Sequence, residues 1–241
     1  MASSLAAPET AAPAPPPQTK TVSDVTILSG VFGLLLFVPA RTLDWPRAWV
    51  FIGGTIAATT VTMLYLRDDR DLINERLKGP IQKGQPLVDK IVLNLFLATF
   101  CGLMVFIPLD VFRFHLMPET GALMSLVGLG LIAAGWWLMA LALRENTFAS
   151  GVVKHQEERH QRVIDSGVYS QVRHPMYTGA VPFIIGICLW LGSYSAALLS
   201  AVPIFLIALR IENEERFLQK ELDGYKEYAE RTRYRLIPFL W

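Results

Sequence analysis

Two clusters of polar and ionisable residues interrupt an otherwise apolar chain. The first runs over 144–177, from Arg144-Glu145-Asn146-Thr147 to Arg173-His174-Pro175-Met176-Tyr177. The second opens with Arg210-Ile211-Glu212-Asn213-Glu214-Glu215 and continues as an expected amphipathic helix to about Arg231. Arg210 and Glu214 stand at i and i+4, so on a helix they share a face and can point into one cavity. The same spacing also suits an intrahelical ion pair at a membrane border, although Arg before Glu is the less favourable order. Glu215 falls about 100° away, where a supporting or solvated role is expected. His174-Pro175 reads as the start of a helix, because proline's fixed φ suits the first turn. Such a start offers N–H groups and a positive dipole end to a carboxylate. A plain capped membrane helix with Arg173 at the headgroups would carry the same tripeptide.

Several other chemistries lack their residues. His155 and His160 are five apart with Glu157 and Glu158 between them, which is not the i, i+4 pattern of a zinc-binding helix, so a solvated charged loop is expected and no metal. Gly128-Leu129-Gly130 and Gly135 form no dinucleotide loop; they lie in an apolar stretch where small residues let helices approach. No nucleophile elbow or phosphate-binding loop is present. Cys101 and Cys188 both sit in apolar runs, with no second thiol near either to build a disulfide framework or a zinc cluster.

The elements that must position the two clusters follow from composition. The 241 residues are 52% hydrophobic and only 18% charged, with mean hydropathy +0.37, against about a quarter charged in ordinary soluble domains. That pattern indicates a membrane protein. A net charge of +1 gives no footprint for nucleic acid, which is therefore not an expected partner. Residues 1–20 contain five of the fifteen prolines and six alanines, the composition of a disordered tail. Its one charge comes late and no small-residue cleavage pattern follows, so it does not read as a signal peptide.

Apolar segments follow at about 24–40, 45–66, 91–109 and 121–143, then a shorter pair at about 177–191 and 195–209. A crossing takes about 20 residues, so the last pair is expected as a tilted or partly re-entrant hairpin turning at Gly192-Ser193-Tyr194-Ser195. Trp45, Trp49 and Trp190 suit interfacial anchors, and Trp136-Trp137 suits either an anchor or lipid-facing bulk. With six crossings, nineteen of the 22 basic residues fall on one side. This positive-inside asymmetry predicts both termini on the cytoplasmic face. The organisation expected is a tail (1–20), N-terminal spans (21–120) and a core carrying the chemistry (121–241), in an all-α polytopic bundle with a short helical hairpin and a C-terminal amphipathic helix. A hairpin returns the chain to the face it left, so His174, Tyr177, Arg210 and Glu214 are expected at one level and close together.

Five stretches together carry a resemblance: Gln161-Arg162-Val163-Ile164-Asp165-Ser166-Gly167-Val168-Tyr169; Val172-Arg173-His174-Pro175-Met176-Tyr177-Thr178-Gly179; Arg210-Ile211-x-x-Glu214-Glu215; Tyr225-x-x-Tyr228; and Tyr234-Arg235-Leu236-Ile237-Pro238. Over about 120–241 the chain resembles the isoprenylcysteine carboxyl methyltransferase family and its wider group, which includes phospholipid N-methyltransferases. The resemblance implies an S-adenosylmethionine site in a cytoplasm-facing pocket. Gln161, Arg162, Val163 and Ile164 would contact the cofactor, Tyr169 would pack near its nucleoside, and His174, Pro175, Met176 and Tyr177 would line it. Glu214 would hold its polar end and Arg210 would face the methyl acceptor, with Arg210, Glu214 and His174 as the catalytic set. The chain departs from the family at Val168, where many members carry proline, at His160, often a small or different polar residue, and at Leu222-Asp223-Gly224, where Phe-Gly often precedes the tyrosine pair.

A sulfonium methyl is already activated, so such an enzyme aligns the nucleophile and excludes water. A carboxylate acceptor needs no general base, whereas a thiol or amine needs a proton removed, by His174 or Glu215. The implied function is an integral membrane methyltransferase acting on a prenylated cysteine carboxylate or another lipophilic acceptor, with a phospholipid amine or small thiol as alternatives. Two further rivals are a transport or assembly protein that keeps the fold and a membrane sterol reductase. The spans at 91–109 and 121–143 contain no charged residue, which argues against ion-coupled transport, and no nicotinamide site is visible for a reductase.

Overall fold

The computed structural model describes residues 18–241, with side chains from Thr26 onward. The tail expected over 1–20 lies outside the described residues except at its end, where the first helix, α1 (Gln18–Ala40), has already begun. Then come α2 (Pro46–Tyr65), the short α3 (Arg70–Arg76), α4 (Leu87–Leu109), α5 (Ala122–Glu145), α6 (Pro175–Leu191), α7 (Tyr194–Leu199), α8 (Ala201–Glu221) and α9 (Tyr225–Arg231). Among the described residues the regular structure is helical, and a single isolated bridge joins Glu119 to Ser193. The protein is an all-α integral membrane protein.

Four helices are long and apolar enough to cross a bilayer: Pro46–Tyr65, Leu87–Phe114, Ala122–Glu145 and Tyr194–Glu221. Only 22% to 33% of the most apolar window of each is buried inside the protein. Their apolar surface therefore points mainly outward, as lipid-facing helices require. Thr26–Ala40 and Pro175–Leu191 are shorter apolar helices. The expected short hairpin is thus half right. Its first arm, α6, has 17 residues, but its second continues through α8 as a 28-residue span, because the helix does not stop at Arg210. The break between α7 and α8 follows from Pro203, which has no N–H to offer the Leu199 carbonyl. Gly192, at φ 108°, closes α6 in the left-handed region, and Ser193 caps α7 by accepting from the Ala196 N–H at 2.9 Å. The amphipathic helix expected to reach Arg231 breaks at 222–224, where Gly224 turns at φ 79° before α9.

The α5–α6 pair is the tightest packing in the molecule, and glycine makes it possible. A Cβ on Gly128 would lie 2.6 Å from the Trp190 nitrogen, and one on Gly186 would lie 2.6 Å from the Gly128 oxygen. Seven residues away on each helix, Gly135 and Gly179 meet in the same way, backbone against backbone. Gly130, expected to share this role, faces open space. Trp136 turns inward, donating to Thr62 Oγ1 at 3.0 Å and packing at a tilt against the Phe183 ring, while Trp137 is exposed. The main core joins α1, α2, α4, α6, α7 and α8 through Leu36, Phe51, Met104, Ile107, Ile187, Leu191 and Ile211.

At the α6–α7 end of this core a polar knot replaces hydrophobic contact. Asp110 accepts from the Ser193 hydroxyl at 2.6 Å and from the Leu116 N–H at 3.0 Å. Thr120 donates to the Leu189 carbonyl at 2.9 Å. Trp190 donates to the Arg47 carbonyl at 2.9 Å, and the Arg47 guanidinium reaches Thr120 at 3.4 Å. Trp45 lies buried nearby against Phe112. Trp45 and Trp190 are therefore part of the packing rather than simple interfacial anchors; Trp49 is exposed.

Candidate functional site

The opposite end of α6 opens onto a cavity of about 460 Å³. Pro175 stands at the first position of α6 as the sequence predicts, with His174 preceding it. The C-terminal segment straps this helix start in place. Arg173 N–H and His174 N–H donate to the Tyr234 and Arg235 carbonyls at 2.9 Å, and Thr178 Oγ1 donates to the Leu236 carbonyl at 2.6 Å. Tyr177 and Thr178 N–H groups fold back on the His174 carbonyl. The seat for a carboxylate expected at this helix start is therefore largely taken by the chain itself.

Beneath the strap lies Glu215, which is 2% exposed. Arg173 binds it in fork geometry, Nε at 2.7 Å and a terminal nitrogen at 3.1 Å. His174 Nε2 lies 2.8 Å away and the Tyr225 hydroxyl donates at 3.0 Å. A carboxylate can only accept here, so His174 donates to it from Nε2. The expectation of Arg173 at the headgroups is corrected, since it is buried with further bonds to the Thr232 and Arg233 carbonyls. Of the two roles expected for Glu215 the structure has the supporting one and not the solvated one. It is absent from the residues lining the cavity, so it is out of place as a proton acceptor.

Glu214, the next residue, faces the cavity. Its carboxylate accepts from the Tyr177 hydroxyl at 2.9 Å and, among the described residues, has no cation within 4.0 Å. The direct Arg210–Glu214 pair allowed by spacing is not formed. Arg210 instead donates from Nε to Asp89 Oδ1 at 3.0 Å and from a terminal nitrogen to the Gly151 carbonyl at 2.6 Å. Its guanidinium lies 5.9 Å from the centre of the Tyr177 ring. Tyr177 thus stands between the two residues, presenting its ring toward one and its hydroxyl to the other. Asp89, 1% exposed, also accepts from Gln85 at 2.7 Å and from the Val153 N–H at 3.0 Å.

The 146–164 segment forms another wall. Gln156, 1% exposed, donates to the Phe148 carbonyl at 2.7 Å, and its N–H donates to Gln161 Oε1 at 2.8 Å. Gln161 therefore spends its amide oxygen on folding this loop. His160 sits in the left-handed region at φ 49°, a conformation that costs a side chain energy and suits glycine or asparagine. Tyr169 lies in a short 3₁₀ turn at Gly167–Ser170. Burial pushes its phenol up to about 12, against a hydrogen bond from Asn146 that lowers it, so it stays neutral at physiological pH. Tyr228 donates to its carbonyl at 2.8 Å. Gly167 cannot change freely: φ is 54°, and a Cβ would meet the Glu145 carboxyl at 2.7 Å.

Gln161, Arg162, Val163, Ile164, Tyr169, His174, Pro175, Met176, Tyr177, Arg210 and Glu214 all line this one cavity. Sequence reasoning missed Asp89 and Arg76, which come from the first half of the chain. Asp89 had a signal: it is an acidic residue at the threshold of an apolar span. Arg76 had a fainter one, the amphipathic α3, whose Leu72 packs on Ala149 and Met176. Away from these charges the same cavity is lined by Leu93, Phe96, Leu97 and Phe100 of α4, Met139 of α5, Phe183 and Ile184 of α6, and Leu206 and Ile207 of α8.

Residues 123–223 match the family described as phospholipid methyltransferase. The chain is also similar to protein-S-isoprenylcysteine O-methyltransferase B of Arabidopsis thaliana, 35% identical over 84 residues, covering 34% of this chain and 42% of that protein. It is similar to protein-S-isoprenylcysteine O-methyltransferase of Schizosaccharomyces pombe, 29% identical over 108 residues, covering 43% of this chain and 45% of the other. The chain thus spans less than half the length of each curated relative it matches. The family match contains every residue that the sequence predicted for the site and contains neither Arg76 nor Asp89.

Proposed function

We propose that the protein is an S-adenosylmethionine-dependent methyltransferase of the membrane whose acceptor is lipophilic, with a prenylated cysteine carboxylate as the preferred substrate class. The observation that carries this reading is the two-sided cavity: a charged end built from Glu214, Arg210 and His174 continuous with an apolar end walled by α4, α5, α6 and α8. The named activities of the similar proteins support methyl transfer, and the predominance of basic residues on the loops at this end supports a cytoplasmic mouth.

The lining suits the cofactor's chemistry. Glu214, a carboxylate without a cationic partner among the described residues, matches an ammonium, and the tyrosine-rich wall at Tyr169 matches a nucleoside. When bound, S-adenosylmethionine supplies an activated methyl on a sulfonium. A carboxylate acceptor would take that methyl on oxygen while the S–CH₃ electron pair stayed with sulfur, so the lining residues would have no proton to move. The chain's part is to hold the acceptor in line and exclude water. Arg210, fixed by Asp89 and the Gly151 carbonyl, is a wall of the charged end that does not move as the reaction proceeds. His174, tied to Glu215, holds the strap and helix start that carry Tyr177.

The test is incubation of purified protein with methyl-labelled S-adenosylmethionine and a panel of prenyl-cysteine, phospholipid amine and thiol acceptors. Base-labile label in the prenyl-cysteine product is the expected result. Transfer to phospholipid amine alone would assign the acceptor named by the matched family instead, and transfer to none would overturn the reading.

A further inference from the structure

The cations that line the cavity are not equivalent. Lys154 is paired with Glu75 at 2.7 Å, Arg173 with Glu215 at 2.7 Å and Arg210 with Asp89 at 3.0 Å. Each positive charge is compensated before any ligand arrives. Arg76 and Arg162 also line the cavity, and neither has a carboxylate within 4.0 Å among the described residues. They occupy different walls. Arg162 adjoins Val163, which packs on the Leu222, Tyr225 and Tyr228 cluster. Arg76 lies on α3 and donates to the Ser150 carbonyl at 3.2 Å, next to the Gly151 carbonyl that binds Arg210.

We propose that Arg76 is the carboxylate-recognition residue of this cavity, the group that ion-pairs with a carboxylate-bearing ligand while Arg210 stays neutralised by Asp89. The proposal rests on the methyltransferase reading above. A guanidinium with one neutral hydrogen bond keeps most of its donors free, and its planar fork matches a carboxylate. Arg76 is exposed where it meets the cavity, with the Arg210 charge nearby, and an anion that reaches it offsets that repulsion. Its helix is anchored for the purpose: Asp69 caps α3 by accepting from the Leu72 N–H at 3.0 Å, and Leu72 is fully buried. The residue next to Arg76, Glu75, clamps the 150–154 wall through Lys154.

Both the methyl donor and a prenylated cysteine carry a carboxylate, so the ligands in the experiment must separate them. Wild type, Arg76→Gln and Arg76→Lys are compared by calorimetry with S-adenosylhomocysteine and with 5′-methylthioadenosine, which lacks the amino-acid carboxylate, and by kinetics with an S-prenylated cysteine. If the donor's carboxylate is the ligand, Arg76→Gln weakens S-adenosylhomocysteine by about tenfold to a hundredfold and leaves 5′-methylthioadenosine unchanged. If the acceptor's is the ligand, donor affinity holds and the KM for the prenylated cysteine rises by a similar factor. In either case Arg76→Lys restores part of the loss, which separates recognition from mere damage to α3. Unchanged affinities and KM in Arg76→Gln, or equal loss in the Gln and Lys variants, overturn the proposal. Wild-type protein that binds neither nucleoside overturns the methyltransferase reading itself, a different result from a binding-competent wild type matched by its variants.

Discussion

At the C-terminal end of α6, Asp110, Ser193, Thr120 and Arg47 meet one another and backbone groups, and no side chain there lines the cavity. At its N-terminal end, 17 residues away and therefore about 25 Å along the axis, the same kinds of residue are arranged with groups left over. Among the described residues Glu214 has a phenol but no cation, and Arg76 has a carbonyl but no anion. Buried polar groups in a finished core find partners within the protein. Charges left without an opposite charge on the wall of a cavity with an apolar extension are placed to meet partners from outside. The contrast even runs between neighbours in sequence, since Glu215 is bonded on every side and Glu214 is open.

Four substitutions test that contrast. The largest effect is expected for Glu215→Ala, which strands Arg173 and the His174 ring away from water: about 3–5 kcal/mol of stability, read as a lowered thermal midpoint in detergent. A stable variant with normal ligand affinity would mean that the closed network is ornamental. Glu214→Gln should do the reverse. We expect S-adenosylhomocysteine binding weakened by about 1.5–3 kcal/mol with the thermal midpoint held, and unchanged affinity would remove Glu214 from the site. Ser193→Ala, at the far end, leaves Asp110 short of a donor and α7 short of its cap, at about 1–2 kcal/mol. Its Kd for S-adenosylhomocysteine should match wild type; a changed Kd would show that the two ends are coupled.

The smallest effect concerns pH. Burial raises the Glu75 carboxyl, but hydrogen bonds and charge from Lys154 and Lys78 outweigh it and hold its pKa below 4.5. A carboxyl depressed in the folded state contributes stability above its ordinary value and loses it as pH falls through the depressed one. The thermal midpoints of wild type and Glu75→Gln should therefore differ at neutral pH and converge in acid below about pH 4.5. A constant difference down to the acid limit would show that the clamp on the 150–154 wall is not electrostatic.

Much of the cavity end was legible in the residues because local rules apply to it. Pro175 at a helix start and the return of a hairpin to its own membrane face are enough to bring His174, Tyr177, Arg210 and Glu214 together. The identities of their partners were not legible. Spacing on α8 offered Arg210 its neighbour four residues on, yet tertiary packing supplied Asp89 from a helix more than 100 residues earlier. Glu215 was expected to be supporting or solvated because helical phase says which way a residue points but not whether another element covers that face. The C-terminal strap, with α9, covers it. The last span, 28 residues from Tyr194 to Glu221, is longer than its apolar stretch at 195–209 because the amphipathic helix expected after Arg210 is continuous with it.

The paired glycines of α5 and α6 work as a two-pin key. Two backbone contacts set seven residues apart on each helix leave neither helix free to slide by a turn or roll, because moving one pin out of register moves both. The long connection between these helices is therefore held at two ends whose separation is set by the key and not by the loop. A change in the length of that connection therefore leaves the level at which Tyr177 stands gauged by glycine.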